Sequence, residues 1–111
     1  MAQSLSDVAL LERIAAGDER ALWELSARHG VALRELAFGL VHDAALAERA
    51  VQGAFQEVRY QAGHFDPAHF PVLRWLVELT RAVALEQRSR ERAVAGGVAP
   101  MHHWWYDAYK L

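Results

Sequence analysis

The sequence predicts an all-α protein, a compact bundle of four to five helices, and three observations support that fold class. Apolar residues recur every three or four positions through most of the chain, which is the period of a helix with one buried face. Ser, Asp and Gly residues separate these apolar runs at positions where they cap or end helices. No segment alternates apolar and polar residues as a half-buried strand does, so we expect no sheet.

We expect five helical segments, separated by Gly, Asp or Pro. They cover residues 8–16, 18–29, 31–42, 44–61 and 71–95. Ser6, Asp18 and Asp43 are the expected N-caps, and Gly30 is the expected break between the second and third segments. The second segment is expected to direct Leu22, Trp23 and Leu25 into the core. The fifth is expected to bury Leu73, Leu76, Leu79, Val83 and Leu85.

One domain accounts for the length of 111 residues, of which 53% are apolar. We assign residues 1–95 to the helical domain and 96–111 to an aromatic tail that is not a separate domain. The chain has no cysteine, which excludes disulfides and thiolate metal ligands. It has no basic start followed by an apolar run and no long apolar stretch. We therefore expect a cytoplasmic protein without a signal peptide or a membrane span.

Positive charge is concentrated in the second half of the chain. The formal net charge is −2, but residues 67–111 carry a net +2 and residues 1–66 a net −4. Five arginines share the last predicted helix: Arg74, Arg81, Arg88, Arg90 and Arg92. The first three follow at intervals of seven, which keeps them near one helix face, where they can track phosphates or single-stranded DNA. The alternative is a solvated face balanced by Glu78, Glu86 and Glu91.

Aromatic residues flank the loop that precedes this arginine-rich helix. They are Tyr60, Phe65, Phe70 and Trp75. Aromatic rings beside a basic helix can stack on unpaired bases, each stack contributing about 1–3 kcal/mol. For Phe65 and Trp75 we favour a place in the core instead.

Four pieces of the sequence resemble, in order, the extracytoplasmic-function group of bacterial sigma factors. Residues 7–30 read D-x-x-L-L-x-R-I-A-A-G-D-E-x-A-L-x-x-L-x-x-R-H-G, which is similar to the opening of those proteins. Residues 47–55 contain A-E, V-Q and A-F at the family spacing. F-D-P at 65–67 and W-L at 75–76, followed by Arg81 and Ala84, resemble the stretch that leads into the promoter-reading helix.

The resemblance covers about residues 7–92 and concerns the second region of these factors. It implies a helical bundle that binds the clamp helices of RNA polymerase and reads and helps melt the promoter −10 element, without a cofactor. The family's further domain, which reads the −35 element, lies beyond the matched part. We therefore expect a second region that stands alone, with Arg74, Arg81, Arg88, Arg90 and Arg92 facing DNA.

Several positions depart from the family pattern. The family's polymerase-docking helix reads close to D-A-E-D-x-V-Q-E-A-F, and here Leu46, Arg49 and Gly53 replace two Asp and a Glu. Of the residues expected on that helix (Glu48, Arg49, Gln52 and Gln56), Arg49 would meet a basic clamp as a like charge. We therefore expect weak or absent polymerase binding, strengthened by acids at 49 and 53. Ala82 replaces a frequent Asn. Phe70 stands where the family loop is usually small or polar, a position from which it can fill the pocket for a flipped base.

The aromatic tail and the scattered polar residues complete the interpretation. Trp104, Trp105, Tyr106 and Tyr109 either cover the core or form an interface for a protein regulator or a second copy. The sequence has no phosphate-binding glycine loop, no cysteine nucleophile, no Ser-centred nucleophile elbow and no recognised metal-ligand spacing, so we expect neither an enzyme nor a metal site. The sequence leaves two functions open. One is a sigma-like regulator that binds promoter DNA, polymerase or both; the other is a degenerate sigma-like module that binds another protein.

Overall fold

Four α-helices form the part of the chain described by the computed structural model, which covers residues 5–96, with side chains through residue 92. They are α1 (Asp7–Ala15), α2 (Glu19–Val41), α3 (Ala44–Gln61) and α4 (Val72–Gly96), and a short 3-10 turn at Ala62–His64 follows α3. Residues 5–96 contain no strand. The all-α fold class predicted from the sequence is confirmed.

Side-chain caps begin the first three helices at the positions that the sequence predicts. Ser6 Oγ accepts a hydrogen bond from the Ala9 amide at 3.1 Å. Asp18 Oδ1 accepts from the amides of Arg20 and Ala21, and Asp43 Oδ1 accepts from Leu46 at 2.9 Å. Each cap satisfies amides that have no partner inside the helix and is worth about 1 kcal/mol.

The expected break at Gly30 is wrong, because α2 runs through it without interruption. A glycine inside a helix costs only about 1 kcal/mol relative to alanine. Leu25, Leu33 and Ala37, before and after Gly30, all lie in the core, and burying one leucine contributes about 1.5–3 kcal/mol. The continuous apolar stripe therefore outweighs the cost of the glycine, and the second and third predicted segments form one helix.

The core lies where α2, α3 and α4 pack against one another. α3 runs antiparallel to α2, since Glu19 at the start of α2 pairs with Arg59 near the end of α3 at 3.0 Å. The largest fully buried side chains come from all four helices: Leu10, Leu25, Leu33, Val58, Leu76, Leu79 and Thr80. The Thr80 hydroxyl donates to the Leu76 carbonyl at 2.8 Å, so this buried polar group is satisfied.

Helix α1 is attached to α2 by a polar contact as well as by its leucines. Asp7 lies 2.8 Å from both Arg28 and His29, through its two carboxylate oxygens.

Within residues 5–96, none of the helices combines the length and the apolar character needed to cross a bilayer.

Two expected core residues lie on the surface. Trp23 is 80% exposed and Leu73 is 48% exposed. Each follows a buried residue, Leu22 and Val72 respectively, and successive residues of an α-helix are rotated by about 100°. The apolar stripe of each helix is narrower than the sequence suggests, so these neighbours point away from the core.

Candidate functional site

The first two arginines of the predicted nucleic-acid face lie on the solvent side of α4. The Arg74 guanidinium lies over the Phe70 ring, 5.0 Å from its centre. Arg81, two turns further along, is exposed and makes no ion pair within the part of the chain whose side chains are described. The pair therefore presents two cations and one aromatic ring along the same side of the bundle.

The other three arginines of the predicted face differ from these. Arg88 Nη1 donates to the Leu40 carbonyl near the end of α2 at 3.3 Å, and its side chain is half-buried. Arg90 pairs with Glu86 one turn earlier at 3.0 Å. Arg92 is exposed near the end of α4. The row at intervals of seven thus divides: Arg74 and Arg81 face solvent, whereas Arg88 links two helices.

The loop before α4 contains an aromatic stack onto the helix and a hydrogen-bonded carboxylate. The rings of Phe65 and Trp75 are stacked, with centres 4.6 Å apart and planes at 29°, and Trp75 is buried as predicted. The Asp66 carboxylate accepts hydrogen bonds from the His69 ring and from the Ala68 amide, the latter at 2.9 Å. These two bonds, the His69 bond foremost, hold the pKa of Asp66 below its ordinary value.

The predicted polymerase-docking residues lie along the exposed side of α3. Glu48 pairs with Arg34 of α2 at 3.5 Å and accepts a hydrogen bond from Gln52 at 3.5 Å. Arg49 and Gln56 are exposed. Glu48, the acid of this helix that matches the family pattern, is therefore already paired with Arg34 of the same chain.

Gly53 lies where α3 packs against α4, so the acid that was expected from the sequence to strengthen docking would meet Val83 first; its effect on docking stays a prediction. A Cβ at Gly53 would come within 2.9 Å of Val83 Cγ1 in α4, closer than real Cβ contacts. The position marks the close approach of α3 to α4. Any side chain at position 53 therefore requires Val83 or one of the two helices to shift.

A groove lies between α2 and α3, beside the predicted docking residues Glu48, Gln52 and Gln56, which form part of its lining. It has a volume of about 310 Å³. Its lining comprises Leu22, Trp23, Ser26, Arg34, Glu48, Val51, Gln52, Phe55, Gln56 and Arg59. The sequence contains a signal for the exposed position of Trp23. The residues one turn before and after Trp23 are Arg20 and Ala27, whereas the residue one turn after Leu22 is Leu25, which continues the apolar face.

The predicted tail interface, Trp104, Trp105, Tyr106 and Tyr109, lies outside the described residues. Among the side chains that are described, no three His, Asp or Glu residues are grouped so that they could hold a metal ion.

The chain matches no protein-family model, no curated protein and no solved structure with which it was compared.

Proposed function

We propose that this chain is a sigma-factor-like transcription regulator whose helical domain binds single-stranded promoter DNA through Phe70, Arg74 and Arg81. The observation that carries the proposal is the placement of Arg74 over the Phe70 ring, with Arg81 exposed on the same side of α4. The order of motifs along residues 7–92 supports the same class of protein.

The chemistry of this face suits an unpaired strand better than a duplex. Two arginines seven residues apart are about 10 Å apart along the helix, a spacing that can follow a phosphate backbone. An aromatic ring beside them can stack only on a base that is not already stacked in a duplex. The net charge of −2 opposes binding of any polyanion, so we expect modest affinity that falls steeply with salt.

Core RNA polymerase is a weaker partner in this proposal. A basic clamp would meet Arg49 as a like charge, and Glu48 is already paired with Arg34 at 3.5 Å. We therefore expect DNA binding to be measurable with the isolated chain, and polymerase binding to be weak or absent.

The test is fluorescence anisotropy with labelled single- and double-stranded oligonucleotides over a salt series. The Arg74→Ala and Arg81→Ala double variant should weaken binding to all sequences and flatten the salt dependence by roughly two units, one for each lost phosphate contact. Phe70→Ala should reduce the preference for single strands and leave the salt dependence unchanged. Arg90→Ala is the matched control, because Arg90 is paired with Glu86. No binding at low salt, or binding that the double variant does not change, would exclude the DNA proposal.

The second candidate is a degenerate sigma-like module that binds another protein and does not open promoters. The surface of α3 favours it, because Arg49 is exposed and Glu48 is neutralised within the chain. A chain that binds no oligonucleotide and no core polymerase, yet binds a protein partner stoichiometrically, would support this candidate over the first.

A further inference from the structure

The side of α2 that faces away from the bundle carries a second row of apolar side chains. Trp23 is 80% exposed, Val31 60% and Phe38 49%. Ala27, four residues from both Trp23 and Val31, is exposed as well. These positions recur at helical spacing, so they share one face, which is separate from the face that Leu25 buries in the core. Exposed apolar rows of this kind, bordered by polar residues, mark interaction surfaces.

Two opposite charges bound this row at nearly equal distances from its centre. Trp23 and Val31 lie about 6 Å before and after Ala27 along α2. Arg20 lies about 11 Å before Ala27, and Glu35 lies about 12 Å after it. Arg20 and Glu35 are exposed and make no ion pair within residues 5–92. The row therefore begins with an unpaired cation and ends with an unpaired anion.

The remaining charges at the edges of this face are close to balanced. Arg28 lies 2.8 Å from Asp7 of α1 and 3.7 Å from Glu24. At the opposite edge, Arg34 pairs with Glu48 of α3 at 3.5 Å. A partner with charges of one sign therefore gains little here. A partner whose unpaired charges run in the reverse order gains an ion pair at each end of the row.

A second copy of the chain supplies that reverse order when its α2 runs antiparallel. A two-fold axis through Ala27 would place Trp23 of each copy beside Val31 of the other, and Arg20 of each copy beside Glu35 of the other. Both contacts then occur twice. The small side chain of Ala27 at the axis allows the two helices to approach closely.

We propose that the outer α2 face (Arg20, Trp23, Ala27, Val31 and Glu35) binds the same face of a second copy, with the two α2 helices antiparallel. This interface leaves the α3 residues expected to dock on polymerase outside it. The proposal does not rest on DNA binding through α4, and neither result decides the other.

The test is analytical ultracentrifugation of the full chain, at concentrations up to about 1 mM because one helix face is smaller than the roughly 800 Å² per partner of standard complexes. The chain should form a dimer whose fraction rises with concentration. Trp23→Ala should weaken the dimer at least tenfold, since aromatic residues dominate interface energy. Tyr60→Ala, the loss of an exposed aromatic on α3, should change it less than twofold.

Charge reversals test the antiparallel arrangement. Arg20→Glu and Glu35→Arg should each weaken the dimer at least tenfold, because each places like charges together at both ends of the row. The double variant should restore dimerisation. A mixture of the two single variants should form a heterodimer, since one chain then carries two acids where the other carries two bases. Arg49→Glu, the same charge change at an exposed position of α3, should have less than a twofold effect.

Every substituted side chain is exposed, so circular dichroism should show unchanged helix content in all variants. A full chain that remains monomeric at the highest concentration would overturn the proposal. So would a dimer that the charge reversals do not weaken, or a mixture of the single variants that does not associate. A chain that dimerises only when Trp104 and Trp105 are both replaced by alanine would overturn it in favour of the chain's own tail as the occupant of this face.

Discussion

Gly53 of α3 and Val83 of α4 are in such close contact that a methyl group at position 53 would lie 2.9 Å from Val83 Cγ1. By helix propensity alone, alanine at this position would stabilise the helix by about 0.5–1 kcal/mol relative to glycine. The packing reverses that order, because Val83 is β-branched and nearly buried and cannot turn away freely.

We therefore expect Gly53→Ala to lower the free energy of unfolding by about 1–3 kcal/mol, the usual cost of overpacking a core. Gly39→Ala is the control, since nothing lies within 4 Å of a Cβ at that position in α2. It should raise the free energy of unfolding by about 0.5–1 kcal/mol. Urea denaturation followed by circular dichroism measures both. Stabilisation by Gly53→Ala would contradict the close approach of the two helices.

Two tryptophans should respond very differently to truncation. Trp75 is 3% exposed and stacked on Phe65, so Trp75→Ala should cost about 3–5 kcal/mol. Trp23→Ala removes a side chain that is 80% exposed and should change the free energy of unfolding by less than about 0.5 kcal/mol. Thermal denaturation of the two variants makes the comparison. A large loss of stability in Trp23→Ala would mean that this side chain packs into the core after all.

Arg88 and Arg81 should separate stability from DNA binding. Arg88→Ala removes the hydrogen bond to the Leu40 carbonyl and should lower the free energy of unfolding by about 1 kcal/mol, with little effect on the salt dependence of DNA binding. Arg81→Ala should leave the free energy of unfolding nearly unchanged and flatten the salt dependence of DNA binding, because Arg81 is exposed and unpaired within residues 5–92. Denaturation of both variants measures the free energy of unfolding, and fluorescence anisotropy measures their DNA binding. Equal losses of DNA binding would mean that Arg88 also faces the nucleic acid.

The Asp66–His69 contact predicts a pH effect with a defined direction. The pKa of Asp66 is lowered chiefly by its hydrogen bond from His69 and then by that from the Ala68 amide. A lowered folded-state pKa contributes stability that is present above the ordinary carboxyl pKa and is lost as the pH falls through the lowered value.

His69→Ala should therefore raise the pKa of Asp66 toward its ordinary value. An NMR titration that follows the Asp66 side-chain carbon measures this change directly. His64→Ala removes another exposed histidine near the same loop and should leave the Asp66 titration unchanged. The same midpoint in His69→Ala and in the unmodified protein would show that the ring does not control this carboxylate.

The sequence by itself determined the helical class, the three side-chain caps and most of the core. These features are local: the caps bond amides two or three residues away, and an apolar residue every three or four positions defines a buried face. Only the tertiary structure decided the rest. Gly30 remains helical because both halves of α2 are buried against α3 and α4, and Trp23 is exposed because the neighbouring helices cover the face of Leu22 instead. Arg81 faces solvent while Arg88, on the same row, reaches Leu40, because α2 ends beside the second half of α4. Periodicity along one helix gives the relative orientation of its side chains, but which of them meet another helix depends on how the helices pack.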